Sequence, residues 1–290
     1  MGVIPQYISK KELDDQLEKV KNSYQKVGYK WNKAGILKFQ KDNLLNKKEI
    51  EQTFIKFRGL IVSNVMNWLG LSFKLDYKVA FVDIDEYWMN WISTDENGDI
   101  LLQYNLNKRH KWLRGSTEFL VFHEICGHAL QASSWKKRIS EGRMNSFWGL
   151  VSVFTSEQFM MEGIAESLFY FYPNNPFSDF GLISLHTDHL YWYAWNNAHI
   201  MANKNIKIEE IIEFVQSYLP YLAENEIKKG VVEKSKDSLG RTYQYIYGIS
   251  LYYHRLIASK LSKQERKGYV YDIYTNAFTP EEILNRYKII

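Results

Sequence analysis

The sequence predicts a mainly α-helical protein with one small β-sheet, an α+β fold. Apolar residues recur at helical spacing, often behind capping residues, on both sides of a short stretch between residues 78 and 107. That stretch is rich in β-forming residues and contains the turn signal Asp95–Gly98. The chain has 290 residues, 46% of them hydrophobic and 24% charged, so it is long enough to bury a large core.

Two helices are predicted near the start of the chain. Ser9–Glu12 has the pattern of a capping box, and a helix is expected to follow it as far as Val27. A second helix is predicted over Lys47–Leu69, with Asn46 and Glu49 as its capping pair. Neither helix carries a dense cluster of potential ligands, so both are predicted to be structural.

The β-rich stretch is predicted to form a small, mainly antiparallel sheet from Val79 to Leu106. Its segments of β-forming residues are 78–84, 87–93 and 99–107. Ile100–Asn105 is the candidate edge strand. An edge strand can bind an extended peptide by adding it to the sheet, and a sheet that only packs against helices is an equal alternative.

The most informative stretch is Thr117–Gln131, an apolar run that is predicted to be helical over Ser116–Trp135. It contains two histidines and a glutamate. Neutral imidazoles are common zinc ligands, and a carboxylate beside them can deprotonate a metal-bound water. The sequence therefore predicts that His123 and His128 bind a metal and that Glu124 acts as a catalytic base.

The two histidines are five residues apart, which a regular α-helix cannot bring to one metal. At about 100° per residue, positions i and i+5 lie roughly 140° apart around the helix. A π-bulge absorbs one extra residue, and Gly127 would ease that distortion. The spacing predicts a bulge or kink between His123 and His128, in a helix whose N-cap is Ser116. The alternative is two unrelated histidines on a buried helix.

A later helix, predicted over residues 155–172, carries Glu162 and Glu166 on one face. A catalytic zinc typically has three protein ligands, and a carboxylate often hydrogen-bonds a ligating imidazole from behind. Glu162 is therefore predicted to be the third ligand, and Glu166 is predicted to hold the far ring nitrogen of His123. The alternative is an exposed helix face, where glutamates are common.

The remainder of the chain is predicted to be helical. Two helices are expected over 182–202 and 209–218. Two more are expected to begin at Pro220 and Pro280, and another is expected to run from Gly240 past Leu256. His186 and His189 are predicted to line the cleft or the core, with a second metal site as the alternative.

Hydrolysis of an amide places negative charge on the carbonyl oxygen, and a phenol can stabilise that charge. Several residues near the start of the helix that follows Gly240 could do this. The candidates are Tyr243, Tyr245 and Tyr247, with Arg241, His254 and Arg255 as alternatives.

Together these motifs resemble those of gluzincin zinc metallopeptidases. His123–His128 is similar to the HExxGH motif of the dipeptidyl peptidase III family, which has the same five-residue histidine spacing. Glu162–Ala165 resembles the EGxA element of M1 aminopeptidases, although Met161 replaces that family's asparagine. Tyr245–Gly248 is similar to their Tyr-x-Lys-Gly element. The order of elements over Leu101–Leu256 also resembles a poorly characterised bacterial family with an HExxPGHxxQ motif, whose proline is absent here.

The resemblance implies a thermolysin-like zincin catalytic domain over residues 71–290, preceded by a helical segment over 1–70, or one continuous domain. It implies a metallopeptidase that uses Zn²⁺ on a peptide or amide substrate, with Tyr245 stabilising the oxyanion. Two alternatives remain open. The same ligands can serve an iron or manganese enzyme, and the motif can persist in an inactive binding protein.

Composition narrows the expected partners and location. The net charge of +4 is spread along the chain, so neither nucleic acid nor a membrane is an expected partner. The single cysteine, Cys126, excludes an internal disulfide and is expected to be a buried apolar residue. The chain shows no signal-peptide pattern and no apolar run of transmembrane length, so a cytoplasmic location is expected. The oligomeric state is not predicted.

Overall fold

The structure is a computed structural model that describes residues 2–94, 99–149 and 155–288. In these residues helices predominate and three strands form one small sheet, which agrees with the predicted α+β class. The helices are α1 Lys10–Lys26, α2 Lys33–Asp42, α3 Lys47–Leu69, α4 Ser116–Val121, a π-helix Phe122–Ala129, α5 Leu130–Ser140, a 3₁₀ helix Ser146–Gly149, α6 Gln158–Phe171, α7 Asp179–Asn203, α8 Ile208–Tyr218, α9 Glu224–Lys236, α10 Gly240–Tyr243, α11 Tyr245–Lys260, α12 Lys263–Thr275 and α13 Pro280–Arg286. The strands are β1 Tyr77–Val82, β2 Asn90–Thr94 and β3 Ile100–Asn105.

The sheet differs from the prediction in two ways. Its order is β1-β3-β2, with β3 parallel to β1 and antiparallel to β2, so the sheet is mixed rather than mainly antiparallel. The predicted edge strand, β3, is the central strand, and β2 lies at an edge. The reason is burial: β3 is the most buried of the three strands, and a central strand is covered by a neighbour on each side. The predicted turn Asp95–Gly98 lies outside the described residues.

The predicted capping of the first helices is confirmed. Ser9 and Glu12 form a capping box at α1, and Asn46 and Glu49 form one at α3. Helix α2 was not predicted. Its N-cap is Asn32, a residue type that favours this position, so the sequence does contain a signal for the helix. The side chain of Asn32 accepts a hydrogen bond from the backbone N–H of Gly35, at 2.8 Å.

The predicted N-cap of the motif helix is wrong. Gly115 occupies that position with φ 93°, and the Ser116 hydroxyl donates to the carbonyl oxygen of Leu113 at 2.5 Å. A side chain at Gly115 would also place its Cβ 2.1 Å from the carbonyl oxygen of Phe180. Only glycine fits both the left-handed backbone and this close contact.

Three hydrophobic clusters hold the described helices together; the smallest joins α6, α11 and α13, and the two larger ones form the main cores. The larger core joins α3, the sheet, the segment from α4 to α5, α6 and α12. The second core joins α1 and α2 to α7, α8 and α9. The first 70 residues therefore contribute to both cores, and the predicted boundary at residue 70 stays a prediction. No helix in the described ranges combines the length and apolarity needed to cross a membrane.

Helix α6 lies against both α11 and the π-helix. At the contact with the π-helix, a Cβ added to Gly127 would lie 2.6 Å from the Cβ of Ala165 and 2.8 Å from its Cα. These distances are shorter than any normal carbon contact, so the absence of a side chain at Gly127 sets how closely the two helices approach.

Gly127→Ala is expected to destabilise the protein by about 1–3 kcal/mol, the usual cost of inserting a methyl group into a packed core. Gly59 provides a matched control, because it is exposed in α3 and an added Cβ would meet no atom within 4 Å. Gly59→Ala should stabilise the fold by roughly 0.5–1 kcal/mol through its helix propensity. Thermal unfolding of both variants checks this, and an unchanged or higher melting temperature for Gly127→Ala would contradict the packing argument.

Candidate metal centre

The predicted distortion of the motif helix is confirmed. The helix is π-helical over Phe122–Ala129 and continues as α-helix on both sides. Because hydrogen bonds in a π-helix join residues i and i+5, residues five apart share one face. The rings of His123 and His128 lie with centroids 4.8 Å apart. The hydroxyl of Tyr274 also donates to the backbone carbonyl of Cys126 inside this segment, which gives one of its buried carbonyls a partner from α12.

His123, His128 and Glu162 form a buried group whose ligand-type atoms lie within 4.8 Å of one another, so this group could hold a metal ion. The distance between the two Nε2 atoms is 3.2 Å. Glu162 Oε2 lies 3.8 Å from Nε2 of His123 and 3.4 Å from Nε2 of His128. Ligands bound tetrahedrally at 2.0–2.2 Å would be separated by about 3.3–3.6 Å, so the donor set fits a zinc-sized ion.

The charges of these three residues are coupled. Burial lowers the pKa of His123 to about 3, and the charge of His128 adds to the effect. Burial also acts to lower the pKa of His128, but the adjacent Glu162 carboxylate outweighs it and raises that pKa to about 9. Burial acts to raise the pKa of Glu162, and attraction by His128 reverses the effect and lowers it. At neutral pH one proton is therefore held at His128, where a bound metal would replace it.

Glu124 points towards the same group. Its Oε1 lies 3.6 Å from His123 Nε2 and accepts a hydrogen bond from the side-chain amide of Asn90. Burial raises the pKa of Glu124 to about 7, in the range that suits a general base. Asn90 lies on β2. It was not predicted as a site residue, because a single asparagine in a strand belongs to no recognisable site motif.

Glu166 lies behind His123, with its Oε1 3.6 Å from Nδ1 of that histidine. The sequence predicts Glu166 on this side of the ring. The distance is somewhat longer than that of a hydrogen bond. Asp188 on α7, which the sequence analysis missed, faces Glu166. Burial together with the charge of Asp188 raises the pKa of Glu166 well above its usual value, and burial raises that of Asp188 to about 7. Both shifts favour the protonated form of these carboxyl groups.

The other histidines of α7 are held by neighbouring groups. His189 is fully buried, with Nε2 2.9 Å from the carbonyl oxygen of Glu166 and Nδ1 3.0 Å from the hydroxyl of Tyr170. His186 Nδ1 lies 2.8 Å from the hydroxyl of Ser23. In the described part of the chain, neither histidine belongs to a potential metal cluster.

The structure separates the candidate tyrosines of α10 and α11. Tyr245 points away from the metal ligands, and its hydroxyl donates to the carbonyl oxygen of Val3 at 3.1 Å. Tyr247 instead lies beside Glu162, where its hydroxyl helps to lower the pKa of that carboxyl group, and its ring stacks on Trp192 with centroids 4.5 Å apart. Burial of the Tyr247 hydroxyl raises its pKa well above the usual value, so the phenol keeps its proton.

The alternatives to a tyrosine have structural partners elsewhere. His254 Nδ1 lies 2.8 Å from the carbonyl oxygen of Ser250. The guanidinium of Arg255 donates to Gln16 and Tyr193. Arg241 is exposed on α10. Tyr247 therefore lies beside a metal ligand, and Tyr243, the third candidate, packs against Tyr247 with ring centroids 6.4 Å apart.

Comparison with known proteins adds information about the fold. No protein-family model matches the chain, and no curated protein matches it. A similar solved structure is described as "The crystal structure of the putative lipoprotein from Colwellia psychrerythraea", with a TM-score of 0.69 and 14% sequence identity. The match covers 96% of this chain and 50% of that one, so this chain spans about half the length of the Colwellia protein. At this identity the likeness shows the fold alone, and the gluzincin family and thermolysin-like domain stay predictions.

The wild-type protein is expected to bind one divalent metal ion per chain, and Glu162→Gln should weaken binding by more than about 100-fold. Loss of an outer partner alone typically costs 10–100-fold, and this variant loses a charged ligand. Titration calorimetry with Zn²⁺, together with metal analysis of the purified protein, measures this. His110→Ala is the control: His110 contacts the carbonyl oxygen of Glu86, outside the ligand group, and its loss should leave binding unchanged. Equal affinity in wild type and Glu162→Gln would remove Glu162 from the site.

Proposed function

We propose that the protein is a zinc-dependent hydrolase that cleaves peptide or amide bonds. The observation that carries this proposal is the position of the Glu124 carboxylate, 3.6 Å from one nitrogen of a buried His-His-Glu donor set. A base held beside a metal ligand group is what activation of a water for attack on a carbonyl requires.

The donor set favours zinc. Two imidazoles and one carboxylate leave a fourth position open, which is the usual composition of a catalytic zinc site. A bound zinc ion would polarise a carbonyl oxygen and make an attacking water more acidic. Iron and manganese also accept two histidines and a carboxylate, but the placement of Glu124 favours hydrolysis.

The residues around the donor set supply the remaining functions. Glu124 takes the proton of the attacking water and later transfers it to the leaving amine. Asn90 donates to Glu124 and keeps that carboxylate turned towards the ligands. Glu166, close to Asp188, lies behind His123 and restricts the rotation of its ring.

Tyr247 is the proposed stabiliser of the transition state. Its protonated hydroxyl lies beside Glu162 and can donate to a carbonyl oxygen as negative charge develops there. Stacking on Trp192 holds the ring in place, which lowers the entropic cost of orienting the hydroxyl.

A cytoplasmic location, and the absence of nucleic acid or membrane partners, stay predictions.

Glu124→Gln should abolish hydrolysis while metal binding persists. Glutamine keeps the shape of the side chain and still accepts from Asn90, but it cannot take a proton, and general-base catalysis typically contributes about 10²–10⁴-fold. The assay incubates zinc-loaded protein with a mixed peptide library and identifies new termini by mass spectrometry.

A second experiment tests the metal: the metal-free protein is reloaded with Zn²⁺, Fe²⁺ or Mn²⁺, and the cleavage activity of each form is measured. Unchanged turnover in the variant would eliminate Glu124 as the base, and activity with iron or manganese alone would eliminate zinc.

Tyr247→Phe should lower kcat by about 10²–10³-fold with little change in KM, the range for loss of one oxyanion donor. Tyr245→Phe removes the equivalent hydroxyl group, which in the described structure bonds only the Val3 carbonyl. The kcat of this variant should therefore stay near that of the wild type. Steady-state kinetics of both variants decide between the two tyrosines. A large loss in Tyr245→Phe with none in Tyr247→Phe would return the role to Tyr245.

A further inference from the structure

A cleft of about 640 Å³ lies beside the metal centre, between the edge of the sheet and the helices α5 and α6. Most of its lining in the described residues is apolar, and Trp135 and Met161 are almost fully buried there. Its lining includes Ile92, Ala132, Trp135, Lys136 and Met161. Its volume is within the range of about 300–1,000 Å³ that is typical of small-ligand sites.

The cleft and the proposed site are built on the same elements, which are β2, the helix that runs from the π-helix into α5, and α6. On β2, Asn90 contacts Glu124, and Ile92, two residues later on the same face of the strand, lines the cleft. In α5, Ala132 lies one helical turn beyond the ligand His128. In α6, the cleft residue Met161 directly precedes the ligand Glu162. On β2 and α5 the cleft residues therefore lie one step along the same face from residues of the proposed site.

Strand β2 gives an extended substrate a path between the two places. In the described part of the sheet, β2 pairs with β3 on one side and leaves its other edge for an added strand. At about 3.3 Å per residue, the two-residue step from Asn90 to Ile92 covers roughly 7 Å. The substrate side chain that enters the cleft therefore belongs to a residue within about two positions of the bond held over Glu124.

The chemistry of the cleft favours an uncharged side chain. Lys136 at its rim forms an ion pair with Asp99 at 3.3 Å, and Asp99 also pairs with Lys78 at 3.5 Å, so the ammonium group of Lys136 is engaged by a carboxylate at the rim. The apolar lining includes two tryptophans, three isoleucines and a methionine. Burying a charged side chain against such a surface is unfavourable, whereas an aromatic or branched aliphatic side chain gains from leaving water.

We propose that this cleft is the specificity pocket of the enzyme, and that it selects peptides with a large aromatic or branched aliphatic side chain within two positions of the scissile bond. This inference rests on the proposed peptidase function. It adds the class of substrate and identifies Ile92, Ala132 and Met161 as residues that determine it.

The test uses zinc-loaded full-length protein and a set of alanine-based peptides in which a single phenylalanine is moved along the chain. The wild type should cleave best when phenylalanine occupies one fixed position near the cleaved bond, with kcat/KM at least about 10-fold above that of the all-alanine peptide. Ala132→Leu, which fills the cleft, should remove this preference, so that within this variant kcat/KM for the best phenylalanine peptide falls to that for the all-alanine peptide. Ala34→Leu, the same change on the exposed face of α2, is the control and should keep the preference.

Each result either supports or overturns the inference. Cleavage without a fixed phenylalanine position, or an unchanged preference in Ala132→Leu, overturns the pocket and leaves the peptidase proposal standing. Zinc-loaded wild type that cleaves no peptide overturns the proposed function, and this inference with it. If circular dichroism shows that Ala132→Leu does not fold, Ile92→Ala gives the same comparison, because it removes apolar surface without adding volume.

Discussion

The π-helix and α6 approach each other so closely that only a glycine fits at position 127, where a Cβ would meet Ala165 at 2.6 Å. This contact places the helix that carries both histidines against the helix that carries Glu162. The π-helical backbone then turns two residues that are five apart onto one face. The candidate metal centre depends on both conditions, since a regular helix would separate the histidines and a bulkier residue would separate the helices.

The second constraint is electrostatic. Glu124, Glu162 and Glu166 are all nearly buried, as are both histidines. An isolated ion in such surroundings costs several kcal/mol even after the protein relaxes. Proton binding reduces this cost: the carboxylate of Glu162 favours a proton on His128, and burial beside Asp188 raises the pKa of Glu166, which favours its neutral form. A cation bound among these residues would offset it more directly, so burial and charge together favour a metal site over an ordinary helix contact.

The sheet contributes in a different way. The strand with the most apolar surroundings, β3, occupies the centre, and the shorter β2 is left at an edge. That arrangement puts Asn90 against Glu124, the proposed base, and Ile92 against the apolar cleft. One short strand therefore links the place where a bond would be broken to the place where a side chain would be recognised, and its outer edge is the path between them.

The sequence by itself determined the features that arise within one helix or one turn. The capping boxes of α1 and α3 follow from neighbouring residues, and the π-helix follows from the five-residue separation of His123 and His128 because a shared metal needs one face. Glu162 was identifiable because its motif is also local. Only the tertiary structure decided which side chains from other elements reach this group. Tyr247 rather than Tyr245 faces Glu162 because α11 packs on α6 and Trp192 with that side. The contacts of Asn90 and Asp188 and the order of the strands were also decided by the tertiary structure. Contacts between distant segments depend on how whole helices and sheets pack, and residue spacing along the chain does not specify that packing.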